Sequence, residues 1–238
     1  MKTRLDQWLV QQELVASRSQ AESYIKLAQV EVNGQQVTKP GYMVGKADEV
    51  MLKSTEQYVS RAGLKLASVA QALKLDFKDK TVLDVGSSTG GFTDYALRHG
   101  AKRVIAVDVG TDQLHPSLRA DERVELHEKT DIRDFATAEM IDIVVADLSF
   151  ISLREILPRV ASIVPSRAEI TVMVKPQFEI GNSSLKHKGV IKNERLRRDI
   201  LKDFESWVKQ TFTIVDKADS QVAGAKGNRE RFYLLRKV

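Results

Sequence analysis

From Thr81 to Leu235 the chain repeats one hydropathy pattern. Short runs of consecutive apolar residues alternate with stretches whose apolar positions recur every three or four residues. The runs lie near 81–85, 103–107, 123–126, 142–147, 169–174, 212–217 and 231–236. The helical patterns lie near 61–75, 91–99, 113–119, 152–162 and 193–209. Runs without polar alternation, such as Ile143-Val144-Val145-Ala146 and Ile170-Thr171-Val172-Met173-Val174, predict strands buried on both faces. Strands that alternate with helices predict an α/β sheet covered by helices on both sides. The last two runs are joined by a loop, which predicts an antiparallel pair at the sheet edge.

The first 54 residues follow a different rhythm. Leu5, Trp8 and Leu9 share one helical face, and Ser17 or Ser19 can cap a second helix over 20–27 with Ala21, Tyr24 and Ile25 inward. Val30-Glu31-Val32 alternates as a strand, Asn33-Gly34 predicts a hairpin turn, and 49–52 closes as a strand. The polar stretch from Lys53 to Tyr58 marks a join. The chain therefore divides into a small α+β domain at 1–54, a linker at 55–60 and a larger α/β domain at 61–238.

Composition narrows the function classes. The 238 residues include no cysteine, which removes disulfides and thiolate metal sites. The four histidines (His99, His115, His127 and His187) lack ligand spacing, so no metal is expected. No apolar run of about 18 residues occurs, and the N-terminus lacks the apolar core of a signal peptide, which together fit a cytoplasmic protein with no membrane partner. The net charge of +5 is unevenly placed: residues 1–56 balance seven basic against seven acidic side chains, whereas 186–238 carry fourteen against seven. A basic surface there suits a polyanion such as RNA; an ordinary solvated face is the alternative.

The candidate chemistry begins at Leu83-Asp84-Val85-Gly86-Ser87-Ser88-Thr89-Gly90-Gly91-Phe92-Thr93. A buried strand ends in a glycine-rich turn, and a helix follows. Gly86, Gly90 and Gly91 present no Cβ to an approaching ligand, and the helix start offers unpaired N–H groups. The next strand ends in Asp108, where a carboxylate can accept both hydroxyls of a ribose. The spacing does not match the dinucleotide fingerprint, and no Gly-Lys-Ser/Thr follows as in a phosphate loop. S-adenosylmethionine fits better; a tight turn with no ligand remains the bland alternative. Asp84, Gly86, Ser87, Ser88, Thr89, Gly90, Gly91, Phe92, Asp108 and Asp131 are the candidate cofactor residues. Asp147 and Lys175 each end a predicted strand on the rim where that turn lies.

Two resemblances complete the reading. Arg4-Leu5-Asp6, Ser17-Arg18-Ser19-Gln20-Ala21, Val30-Glu31-Val32-Asn33-Gly34 and Lys39-Pro40-Gly41 resemble the S4 RNA-binding domain. That resemblance implies RNA contact through the two-helix face, with Arg4, Arg18 and Lys26 as candidates. Where the S4 pattern has glycine, this chain has Ala28, a strained choice if the position needs a positive φ. Beyond it, Tyr58-Val59-Ser60-Arg61, the glycine-rich turn, Val107-Asp108-Val109-Gly110, Ala146-Asp147-Leu148-Ser149-Phe150, Val174-Lys175-Pro176-Gln177-Phe178-Glu179 and Gly227-Asn228-Arg229-Glu230 follow one another in order. That order resembles the TlyA family of ribose 2′-O RNA methyltransferases, also named haemolysins, whose catalytic domain is of the FtsJ type.

The resemblance implies a Rossmann-like class I methyltransferase sheet with S-adenosylmethionine as cofactor. It also implies a Lys-Asp-Lys-Glu tetrad at Lys65, Asp147, Lys175 and Glu230. The implied substrate is a cytidine of ribosomal RNA in ribosomal subunits, the large subunit favoured. In this chemistry Lys175 steadies negative charge on the 2′-oxygen, and Asp147 holds Lys175. Arg61, Lys186 and Lys188 are further RNA-contact candidates, the last two in a basic stretch that can track phosphates. Two rival readings are a non-catalytic RNA-binding protein, which requires Lys175 or Asp147 to point away from the turn, and a membrane-lytic haemolysin, which requires an insertion segment that the sequence lacks.

Overall fold

The computed structural model describes residues 2–15, 17–53, 58–180, 190–191, 193–224 and 227–238. The N-terminal part consists of β1 (Thr3–Arg4), α1 (Leu5–Gln11), α2 (Arg18–Lys26), β2 (Val30–Val32), β3 (Gln35–Gln36), β4 (Met43–Val44) and β5 (Val50–Leu52). β3, β2 and β5 form a small antiparallel sheet, and β1 pairs with β4. Ser17 rather than Ser19 caps α2, accepting from Gln20 N at 3.2 Å. Leu5, Leu9, Ala21, Tyr24 and Ile25 are buried as the helical pattern requires, with Trp8 partly buried against them. Ala28 does sit at a positive φ of 55°, the left-handed position that glycine occupies without strain.

The larger part runs α3 (Arg61–Ala70), β6 (Thr81–Val85), α4 (Gly91–Arg98), β7 (Arg103–Val107), α5 (Pro116–Arg119), β8 (Val124–His127), β9 (Ile143–Ala146), α6 (Leu153–Ile163), β10 (Glu169–Val174), α7 (Pro176–Glu179), α8 (Glu194–Val208), β11 (Phe212–Asp219) and β12 (Arg231–Lys237). All seven expected strands are present, in one sheet of order β11-β12-β10-β9-β6-β7-β8. β8, β7, β6, β9 and β10 are parallel; β12 pairs antiparallel with β10 and with β11, forming the expected edge pair. The sheet reverses its winding between β6 and β9, and ligands of open α/β sheets bind at such a switch point, outside the strand carboxyl ends.

Alternate strand residues face opposite cores. Val82, Val104 and Val145 pack beneath α3 and α4, whereas Leu83, Ile105 and Val144 pack beneath α6 and α8. The first of these cores does not stop at the join: Leu5, Tyr24 and Ile25 belong to the same apolar cluster as Tyr58, Leu64 and Phe92.

Candidate active site

The glycine-rich turn follows β6 directly. Gly86 has φ +80°, and a Cβ there would lie 2.9 Å from Leu148 Cδ2 and 3.2 Å from the Asp147 carbonyl oxygen. Glycine is thus what lets the turn after β6 close against the turn after β9. A Cβ at Gly90 would meet Leu118 Cδ1 at 2.3 Å, and one at Gly91 would meet Ser60 Oγ at 2.3 Å and Gly63 N at 2.7 Å. Protein fills the side where each Cβ would stand, so close packing around the turn by itself calls for both glycines.

Two adjoining cavities open at the switch point and share Gly86, Ser88, Asp147 and Ser149. The larger, about 550 Å³, is also lined by Val107, Asp108, Val109, Gln113, Asp131, Ile132 and Phe150. The smaller, about 130 Å³, holds Asp84, Ser87, Thr89, Phe92 and Lys175. Asp108 braces the rim: Oδ2 accepts from Ser88 N at 2.8 Å and Oδ1 from Gly110 N at 2.7 Å. A carboxylate has about four acceptor sites, so two remain for hydroxyls. Asp131 is more committed, because Arg133 Nε and Nη2 both donate to it and hold its carboxyl below the ordinary value.

Asp84 is the most perturbed group in the cleft. It is 1% exposed, and burial pushes its carboxyl up to about 7 despite the bond from Thr93 Oγ1 at 2.7 Å; the negative charge of Asp147 adds to the rise. Asp84 Oδ1 and Ser87 Oγ are buried with no hydrogen-bond partner among the described residues. A buried carboxylate oxygen and a hydroxyl left open in a cleft fit a ligand that brings a positive charge and hydrogen-bonding groups. S-adenosylmethionine carries an ammonium and a sulfonium, so the residues present suit it.

The four tetrad residues form two ion pairs, Lys65–Glu230 buried and Lys175–Asp147 partly so. Lys175 Nζ lies 2.5 Å from Asp147 Oδ1 and donates to Ser149 Oγ at 2.8 Å. Lys65 Nζ lies 2.6 Å from Glu230 Oε2. Lys175 and Asp147 line the cleft, whereas Lys65 and Glu230 are not among the lining residues of either cavity. Glu230 is held by its backbone: its carbonyl accepts from Ser220 N at 3.0 Å, and Gly224 leaves room for its carboxylate.

The RNA-contact candidates are placed separately. Arg4 and Arg18 converge on Asp6, and Lys26 is 3.7 Å from Glu22. Arg61 does not face outward alone; its Nη1 donates to Ser19 Oγ at 2.7 Å, tying α3 to α2. Lys186 and Lys188 lie outside the described residues.

Three residues lie in the motifs of the sequence reading without being singled out as site residues. Ser149 fixes Lys175. Phe150 is 91% exposed at φ +68° with its ring 5.3 Å from that of Phe178, a conformation no hydropathy pattern marks. Glu179 is buried and receives Leu153 N at 2.8 Å and Ser152 Oγ at 2.6 Å, clipping the turn after β10 to the start of α6.

Known proteins resemble both parts of the chain. The profile of the FtsJ-like methyltransferases matches residues 58–237, and that of the S4 domain matches residues 3–50. The 16S/23S rRNA (cytidine-2′-O)-methyltransferase TlyA of Mycobacterium tuberculosis is 37% identical over 241 residues, covering 99% of this chain and 90% of the relative. The 23S rRNA (cytidine-2′-O)-methyltransferase TlyA of Campylobacter jejuni is 40% identical over 181 residues, 75% of this chain and 71% of the relative. A solved structure of a hemolysin-named protein from Streptococcus thermophilus superposes with a TM-score of 0.73 at 35% identity, covering 100% of this chain and 89% of that one. No helix among the described residues is long and apolar enough to cross a membrane. S-adenosylmethionine is the cofactor that this methyltransferase fold implies. Likeness of this extent, along nearly the full length of both partners, makes the chain a member of the FtsJ-like methyltransferase family that carries an S4 domain ahead of the catalytic one.

Proposed function

We propose that this chain methylates the ribose 2′-hydroxyl of a cytidine in ribosomal RNA, with the large subunit as preferred substrate and the S4 domain engaging the RNA. The observation that carries the reading is the Lys175 ammonium, held by Asp147 and Ser149 at the boundary of the two cavities. The non-catalytic alternative required one of this pair to turn away from the cleft, and both line it. The target is supported by the relatives: the Campylobacter protein's name specifies cytidine 2′-O-methylation of 23S rRNA, and the Mycobacterium protein's name specifies it for both 16S and 23S rRNA.

S-adenosylmethionine, when bound, supplies an electrophilic methyl group on sulfur. The protein's part is to align the 2′-oxygen and to lower the cost of the negative charge that gathers there as its proton leaves to water. Lys175 does the second, its ammonium nearly buried and its direction fixed by Asp147 and Ser149. Asp147 offsets the burial of the ammonium and keeps it in place. Lys65 and Glu230 act one layer back, joining α3 to the start of β12 so that the walls of the cleft hold their spacing. Phe150 offers an exposed ring at the mouth on which a base can stack.

The test is methyl transfer from labelled S-adenosylmethionine to ribosomal subunits from a strain lacking this activity. Wild type labels the large-subunit RNA; Lys175→Ala lowers the rate by a factor of about 100 or more while cofactor binding persists. Full activity in Lys175→Ala contradicts the reading, as does wild type that binds cofactor, labels no RNA and instead releases dye from lipid vesicles.

A further inference from the structure

Asp6 lies in the first turn of α1 and is completely buried, yet it meets two exposed guanidiniums. Arg4 donates from Nε to Oδ1 at 3.0 Å and from Nη2 to Oδ2 at 2.9 Å. Arg18, at the start of α2, donates from Nε to the same Oδ2 at 2.8 Å. Gln7 N fills the remaining side of Oδ1 at 3.0 Å. One carboxylate thus fixes arginines from two elements. Burial pushes the Asp6 carboxyl up, and the bonds from Arg4 and Arg18 outweigh it, so that it sits below its ordinary value and stays ionised.

The seat extends to the Lys39–Tyr42 turn. Asp6 N donates to Pro40 O at 3.1 Å, and Leu5 N donates to Tyr42 O at 2.7 Å. A Cβ on Gly41 would come within 3.1 Å of Arg4 Nη1, so the guanidinium rests on that glycine. Arg4 Nη1 and both Nη atoms of Arg18 have no hydrogen-bond partner among the described residues. They are the donors that a phosphate can take. Glu22, 3.8 Å from Arg18 Nε, is the other acid beside the pair.

By charge alone, a carboxylate in a face that binds a polyanion weakens binding, and its removal strengthens it. The geometry points to the opposite. We propose that Asp6 is a positioning residue for RNA engagement, holding Arg4 and Arg18 as a preorganised fork for the phosphate backbone. Free arginines lose rotamer freedom when they dock; arginines already held by a buried acid have lost it beforehand. The inference rests on the RNA-engaging role proposed above for the S4 domain.

The experiment measures kcat, the KM for unmethylated large ribosomal subunits and cofactor affinity in the full-length chain. Asp6→Asn keeps the side-chain shape and adds one net positive charge. Its KM rises about tenfold, the equivalent of one charge-assisted hydrogen bond, while kcat and cofactor affinity stay put. Arg4→Lys keeps the charge at an exposed position but cannot fork onto Asp6, and its KM rises in the same direction; this variant decides the matter if Asp6→Asn does not fold. An unchanged or lower KM overturns the proposal, and so does a rise matched by losses in kcat and cofactor affinity, which marks general distortion. Arg4→Ala with Arg18→Ala separates the layers: if that double variant leaves KM unchanged, the RNA-engaging reading itself fails.

Discussion

At the scale of single residues, the cleft is a set of charges whose burial is only partly compensated. Asp84 shows it most clearly. Its carboxyl lies at about 7 in the folded chain against 3.8 ordinarily, so between those values the native state binds more protons than the unfolded one. Stability from this group is therefore complete at acid pH and falls as pH rises toward 7, by roughly 4 kcal/mol at most. Asp84→Asn removes the penalty. Without cofactor, its melting temperature should exceed that of wild type at pH 8 by several degrees and approach it near pH 4; a difference independent of pH contradicts the assignment. Cofactor affinity should fall in the same variant, since the carboxylate charge facing a cationic ligand is lost. The sequence marked Asp84, Asp147 and Lys175 because each stands in or just past an apolar run. It gave Ser149 and Phe150 only as members of a motif, without a role, because their placement depends on how the turn after β9 folds back.

At the scale of elements, strands and long helices were legible because burial repeats at fixed periods; short pieces were not. The four-residue α7 carries too few positions to show a period, and β1 with β4 pairs only two residues on each side. Yet α7 places Glu179, which occupies the N-terminus of α6 by accepting from Leu153 N and Ser152 Oγ. Burial raises the Glu179 carboxyl, and those two bonds pull it partly back. The turn from Asp147 to Ser152 is thereby pinned at both ends, by Lys175 and by Glu179. Glu179→Ala should cost about 2 kcal/mol of stability by orphaning a buried N–H, read as a lower midpoint in urea. It should also slow methyl transfer at saturating RNA. Loss of stability with unaltered kcat would mean that Glu179 serves the helix alone. For Gly90 and Gly91 a missing Cβ says from sequence only that something comes close; the fold shows that protein fills the side where each Cβ would stand.

At the scale of the whole molecule, the polar stretch around 53–58 marks the join between two domains. The apolar core runs through Tyr58 from one part into the other. Gln20 Nε2 donates to Tyr58 O at 3.0 Å, Arg61 reaches Ser19, and Asp94 Oδ2 accepts from Val59 N at 2.8 Å. Two such joined parts should unfold together. The two tryptophans report on each side, Trp8 in α1 and Trp207 in α8. Trp8→Phe and Trp207→Phe variants should give fluorescence transitions at the same temperature; midpoints well apart would mean that the shared core is too weak to couple them. Hydropathy could not show this, since it reports that a residue is buried and not what buries it.

The central claim is that the Lys175–Asp147 pair acts on a ribose oxygen and not on a base. The most direct measurement is mass spectrometry of nucleosides released from large-subunit RNA after reaction with wild type and with Lys175→Ala. The account predicts 2′-O-methylcytidine with wild type and none above background with the variant, both proteins binding S-adenosylmethionine equally. Methyl groups found on the base, or 2′-O-methylcytidine formed equally well without Lys175, would contradict it.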